Sequence, residues 1–188
     1  MGRVLGWLGV LLWLASAPLM AREVAGVTVP EGATLSDGEQ LMLNGAGIRT
    51  KFFFKIYVGA LYLPARVDTP EAVYAAPGGR RVLMHFLYSE IAAKKLVDAW
   101  NEGFEANLAE ADFARLKPRI DAFDGLFHDV KAGDEMHLDY IPGKGTEVWS
   151  GDTLVGTIEG ADFQEALMRI WLGKKPADKD LKVGMLGR

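Results

Sequence analysis

The sequence predicts an α+β domain in which helices pack on one face of an antiparallel sheet, behind a secretory leader. Three observations lead there. Strand-like and helix-like segments come in blocks: strands, then helices, then strands, then helices. Three strand-like runs in the C-terminal half are separated only by short glycine turns, which makes an antiparallel meander. The first 21 residues are apolar in a way that nothing later in the chain repeats.

In that leader Arg3 is the one charge, and Val4 to Ala21 is uncharged and apolar or small throughout. Ala17-Pro18-Leu19-Met20-Ala21 supplies a helix breaker and a small residue before Arg22, the layout of a cleaved signal peptide. An uncleaved anchor is the alternative, because the run approaches the length of a bilayer-spanning helix. The expected division is a signal peptide over 1–21 and one domain over 22–188. The product would be periplasmic or secreted, with no stable membrane span once the leader is removed.

After the leader, Val24 to Pro30 reads as a strand, with turns at Glu31-Gly32-Ala33 and Ser36-Asp37-Gly38. Gln40 to Leu63 is strand-like and mostly apolar. Gly45 and Gly47 interrupt it, and glycines inside strands mark a bulge or a close backbone approach. Phe52 to Val58 has the aromatic and β-branched content of a central strand. Thr69-Pro70-Glu71 starts a short helix, with Thr as cap and Pro in the first turn. Arg81 to Leu87 is a strand, and Ser89 is placed to cap a long helix whose apolar face is Leu96, Trp100, Phe104 and Leu108. A second helical stretch carries Phe113, Leu116 and Ile120, with Pro118 expected to kink or break it. Glu135 to Ile141, Thr146 to Ser150 and Thr153 to Ile158 are the meander strands. Asp162 and Glu165 resemble a capping box before a helix that buries Phe163, Leu167, Ile170 and Trp171. A last short helix runs from about Asp178 to Val183 and ends at Gly184.

Composition removes several functional classes. The chain has no cysteine, which excludes disulfides, thiol catalysis, Cys-ligated zinc and iron–sulfur clusters. Lys plus Arg total 21 against 25 Asp plus Glu, and loss of Arg3 with the leader takes the net charge from −4 to −5. No basic block or stripe is present in the sequence, so neither nucleic acid nor an anionic membrane is an expected partner. His85, His128 and His137 lack metal-ligand spacing, and no cofactor is expected. Lys144 between glycines reads as a turn residue.

Two segments carry a family likeness. Leu43-Asn44-Gly45-Ala46-Gly47-Ile48-Arg49 followed by Lys55 to Leu63 resembles the paired-strand signature of the chalcone isomerase-fold superfamily. Ala166 to Gly173, then Pro176 to Gly187, is similar to that family's closing helices. The resemblance implies an open-faced β-sandwich, its large antiparallel sheet covered by helices and a ligand cleft between the two layers. The superfamily holds enzymes, plastid fatty-acid-binding proteins, non-catalytic helpers and exported bacterial relatives, so fold alone does not select a function.

The resemblance also implies a site. Arg49 takes the place of the arginine that favours an anionic substrate group, a role suited to a permanently charged, planar donor. Read without the resemblance, it is a strand-edge arginine paired with a nearby carboxylate. The other enzyme positions depart from the pattern. Tyr57 replaces a threonine, Ala92 and Ala99 fall where a tyrosine and an asparagine are found, and Ile170 lies near the late polar position. Tyr88 could supply the tyrosine if the helix register differs by a turn. Strand alternation puts Phe53, Lys55, Tyr57, Leu61 and Leu63 on one face, with Trp100 and Phe104 opposite. A cationic anchor in an apolar cleft suits a small lipophilic acid such as a fatty acid. The expected ligand-binding set is therefore Arg49, Phe53, Tyr57, Tyr88 and Trp100. For Phe53, Tyr57, Trp100 and Phe104 the plain alternative is core packing. The leading expectation is a non-catalytic periplasmic binding protein. The alternatives are an isomerase or lyase on a phenolic or enone substrate, with Arg49 as clamp and Tyr57 or Tyr88 as acid, and a ligand-free accessory protein acting through a partner.

Overall fold

The computed structural model describes residues 21–188. The leader expected over 1–21 lies outside them apart from Ala21, the first residue of β1. The strands are β1 (Ala21–Val24), β2 (Val27–Pro30), β3 (Gly32–Thr34), β4 (Gln40–Lys51), β5 (Phe54–Leu63), β6 (Arg80–Phe86), β7 (Glu90–Ile91), β8 (Val130–Lys131), β9 (Glu135–Ile141), β10 (Gly145–Ser150) and β11 (Thr153–Ile158). The helices are α1 (Pro70–Ala75), α2 (Ala93–Asn107), α3 (Glu110–Asp124), α4 (Ala161–Leu172) and α5 (Lys179–Met185). One seven-stranded antiparallel sheet runs in the order β11-β10-β9-β6-β5-β4-β3, with small ladders β1-β2 and β7-β8 beside it. This is the expected α+β arrangement.

The sheet has two unequal faces because residues alternate across it. The inner face carries Tyr57, Leu61, Leu63, Val82, Met84, Met136, Leu138 and Val148 and packs against the helix layer. The outer face carries Val58, Ala60, Tyr62, Leu83 and Ile141 and is covered in part by Val29 of the N-terminal hairpin and by Leu35. Tyr62 ties the two together by donating its hydroxyl to the Pro30 carbonyl at 3.0 Å. That is an open-faced sandwich. Among the described residues, the buried members of both cores lie between Val29 and Leu186.

Several expectations at the element ends are corrected. The strand expected over Val24 to Pro30 is instead part of a two-stranded hairpin, Ala21–Val24 and Val27–Pro30, turning at Ala25 and Gly26, both with positive φ. Gly32 and Ala33 belong to β3, which pairs with the start of β4. Ser89 does not cap α2. Residues Glu90–Ile91 first pair with β8, and Asp129 accepts the Ala93 N–H at 2.7 Å instead. α3 continues through Pro118, whose exposed position lets water satisfy the carbonyl freed on the preceding turn. Asp162 lies inside α4, and its carboxylate binds Arg115 and Arg119 of α3 rather than closing a capping box. α5 runs past Gly184 to Met185, with Asp178 as its cap. The Thr69 cap of α1 is as expected, accepting the Ala72 N–H at 3.2 Å.

Candidate functional site

β4 and β5 form the hairpin that carries the site, and two bulges decide which way its residues point. Leu43 pairs with Tyr62 but Gly45 pairs with Leu61, so Asn44 is an extra residue. Arg49 pairs with Tyr57 but Thr50 pairs with Lys55, which makes Ile56 the second. Between the bulges Gly45, Gly47 and Arg49 share the inner face with Tyr57, Gly59 and Leu61.

The glycines let α5 and the C-terminal residues lie directly on the sheet. A Cβ on Gly45 would sit 2.1 Å from the Gly184 carbonyl oxygen, and one on Gly47 would sit 3.2 Å from the Leu181 Cα. Bulge and close approach are both present. Asn44 fastens the contact: it is buried, donates to the Met185 carbonyl at 2.8 Å and accepts the Val67 N–H at 2.7 Å.

Arg49 stands at the open end of this face. Its guanidinium lies 5.6 Å from the centre of the Tyr57 ring, within cation–π range. Its Nε is buried without a hydrogen-bond partner, and no carboxylate of the described residues pairs with it. The carboxylate-paired alternative for Arg49 is therefore not realised. Asp178, the acid on the adjoining turn, is committed to the Thr50, Asp180 and Leu181 N–H groups.

Beneath Arg49 the interior is aromatic. Tyr57 is 2% exposed, and its hydroxyl oxygen accepts from the Trp171 indole N–H at 2.9 Å. Trp171 in turn meets Trp100 with ring centres 5.5 Å apart, and Trp100 packs on Phe123 and Phe127. So Arg49, Tyr57 and Trp100 are brought into one line, and Trp171, expected as core alone, is the residue that joins them. Its periodicity gave its burial; its hydrogen bond could not be read from spacing.

Two expected residues stand elsewhere. Phe53 is not on the inner wall. It is fully exposed at the tip of the hairpin, because Phe52 and Phe53 form the two-residue turn and the Ile56 bulge shifts the alternation. Tyr88 is half-buried beside that tip, its ring 5.5 Å from Phe54 in an edge-on contact. Three of the enzyme-type positions carry no side-chain donor: Ala92 is the cap of α2, Ala99 is half-buried on α2, and Ile170 is buried against Gly103.

The sequence profile of the chalcone isomerase-like family matches residues 21–187. The chain belongs to the chalcone isomerase-like family. No curated protein matches it in sequence. Among solved structures it is similar to a fatty-acid-binding protein of Arabidopsis thaliana, at 14% identity and a TM-score of 0.65 over 83% of this chain and 96% of that one. At that identity the likeness establishes the fold.

A second polar cluster lies on the outer face of this chalcone isomerase-like sheet. Glu135 sits between His85, at 2.8 Å, and His137, at 4.0 Å. The neighbouring imidazoles of His137 and His85, the latter hydrogen-bonded to it, hold its carboxyl down at about 2. Arg81 and Asp139 form a bidentate pair beside it at 2.6 Å. Among the described residues no set of three or more His, Asp or Glu is placed to hold a metal ion. Two open depressions of the surface, one lined by His128, Glu135, His137 and Asp152 and the other by Asn107, Arg115, Asp162 and Arg169, include neither Arg49 nor Tyr57.

Proposed function

We propose that the protein is a non-catalytic, exported binding protein for a small lipophilic anion such as a fatty acid, with Arg49 as the anchor of the acidic end. The observation that carries this reading is the unpartnered buried Nε of Arg49 above Tyr57. A partly buried guanidinium without a counter-charge is costly, and a ligand carboxylate supplies both charge and acceptor. The fatty-acid-binding protein of the same fold supports the ligand class. The apolar tail runs along the inner face, where Trp171 and Trp100 now fill the space, so binding displaces or tilts these rings. The leader composition supports export.

Native mass spectrometry of protein recovered after export tests this. The expected result is an adduct with the mass of an acidic lipid, lost from an Arg49→Ala variant. The filled interior favours one second reading, a ligand-free accessory protein acting through a partner. Under that reading the recovered protein is empty, and the parent protein and its Arg49→Ala variant bind a fatty-acid panel equally poorly.

A further inference from the structure

The tip of the β4–β5 hairpin is unlike the rest of the surface. Phe53 is 100% exposed, Phe52 80% and Phe54 57%, and every residue from Thr50 to Lys55 is exposed. β5 pairs with β6 only as far as Tyr57–Phe86; the Leu87 and Tyr88 N–H groups still donate to the Ile56 carbonyl, and the turn lies beyond them with the Tyr88 ring against Phe54. A soluble surface rarely presents three adjacent phenyl rings to water. Their backbone also works against them. Phe52 and Phe53 have φ of 50° and 71°, the left-handed region in which hairpin turns strongly prefer Asn and Gly.

Charge says what such a tip meets. The segment from Arg49 to Lys55 holds Arg49, Lys51 and Lys55 and no acid, on a chain whose net charge is −4. Lys51 reaches Glu102 only at 4.0 Å, and both side chains are largely exposed. Asp178 is engaged by backbone N–H groups. Aromatic rings flanked by lysines match the two layers of a bilayer surface: rings at the boundary of the acyl region, ammonium groups among anionic headgroups. The linear sequence shows no basic stripe because the three cations are few. The turn concentrates them around the rings.

We infer that Phe52, Phe53 and Phe54, with Lys51 and Lys55, form a docking finger for an anionic bilayer surface. The inference goes beyond the ligand reading and stands without it, since its test contains no ligand. It also places Arg49 at the bilayer-facing end of the molecule.

Vesicle flotation of the chain from Ala21 onward decides it, using 3:1 phosphatidylethanolamine–phosphatidylglycerol vesicles and pure phosphatidylcholine vesicles at about 0.1 M salt. The chain is expected to float with the phosphatidylglycerol vesicles and several-fold less with phosphatidylcholine. A Phe52→Asn/Phe53→Gly variant, whose turn residues suit the backbone, keeps or raises its melting temperature and loses at least tenfold in bound fraction. A Lys51→Gln/Lys55→Gln variant loses the preference for phosphatidylglycerol. The inference is overturned if the parent chain stays soluble with both vesicles or if the Asn-Gly variant floats equally well. It is equally overturned if the rings instead hold two copies together, seen as a dimer that dissociates in that variant without vesicle binding.

Discussion

Arg49 shows how far a single residue can be read before its surroundings are known. Its place at the site came from the family resemblance of the glycine-and-arginine signature, but its lack of a carboxylate partner was not legible, because a carboxylate can reach a strand from anywhere in the sequence. Tyr57 and Trp171 are 114 residues apart and share a buried hydrogen bond that no periodicity reveals. Changing Tyr57 to Phe leaves the Trp171 N–H unpaired in an apolar interior. The expected loss is about 1–3 kcal/mol of stability, measured by urea unfolding. Glu135 has a different signature. Its carboxyl is held at about 2 in the folded protein against an ordinary value near 4.5. A carboxyl held low stabilises the fold above its unfolded pKa and stops doing so as pH falls through the folded one. Unfolding midpoints should therefore fall as pH drops from about 4.5 towards about 2, and a Glu135→Gln variant should show a shallower fall.

At the scale of the element, the β4–β5 hairpin carried most of what the sequence could and could not disclose. Gly45 and Gly47 were legible as sites of close approach, and α5 does lie on them. A Gly45→Ala change puts a methyl against the backbone of Gly184, Met185 and Gly187 and is expected to cost about 1–3 kcal/mol. Gly47→Ala, meeting Leu181 at 3.2 Å, is expected to cost less, and thermal unfolding of the two variants gives the order. Gly45 and Gly47 also marked a bulge, found at Asn44, but the bulge at Ile56 was not legible, since an extra residue in one strand appears only when its partner is known. That is why Phe53 was expected inside. Three successive phenylalanines have the composition of a buried strand, and nothing local marks two of them as a turn. Left-handed backbone at a residue with a side chain costs about 1–2 kcal/mol. Replacing Phe52 and Phe53 by Asn and Gly should thus raise stability by about 1–3 kcal/mol, read as a higher urea midpoint.

For the whole molecule, block order and the C-terminal meander were enough to give the α+β sandwich, because they depend on periodicities of two and 3.6 that the chain states clearly. The division of labour between the faces was not. It places an apolar, aromatic layer under Arg49 and a charged network of Arg81, Asp139, Glu135 and His85 on the opposite side. Only the first can take a lipophilic tail. The central claim, that Arg49 anchors an acid there, is tested most directly by tryptophan-fluorescence titration of the chain with a long-chain fatty acid and with the matching alcohol. Trp171 and Trp100 report the site. The expected result is saturable binding of the acid at least about tenfold tighter than the alcohol, the preference vanishing in Arg49→Ala, as loss of a charged hydrogen bond implies. Equal affinity for acid and alcohol, or an acid preference unchanged in Arg49→Ala, would contradict it.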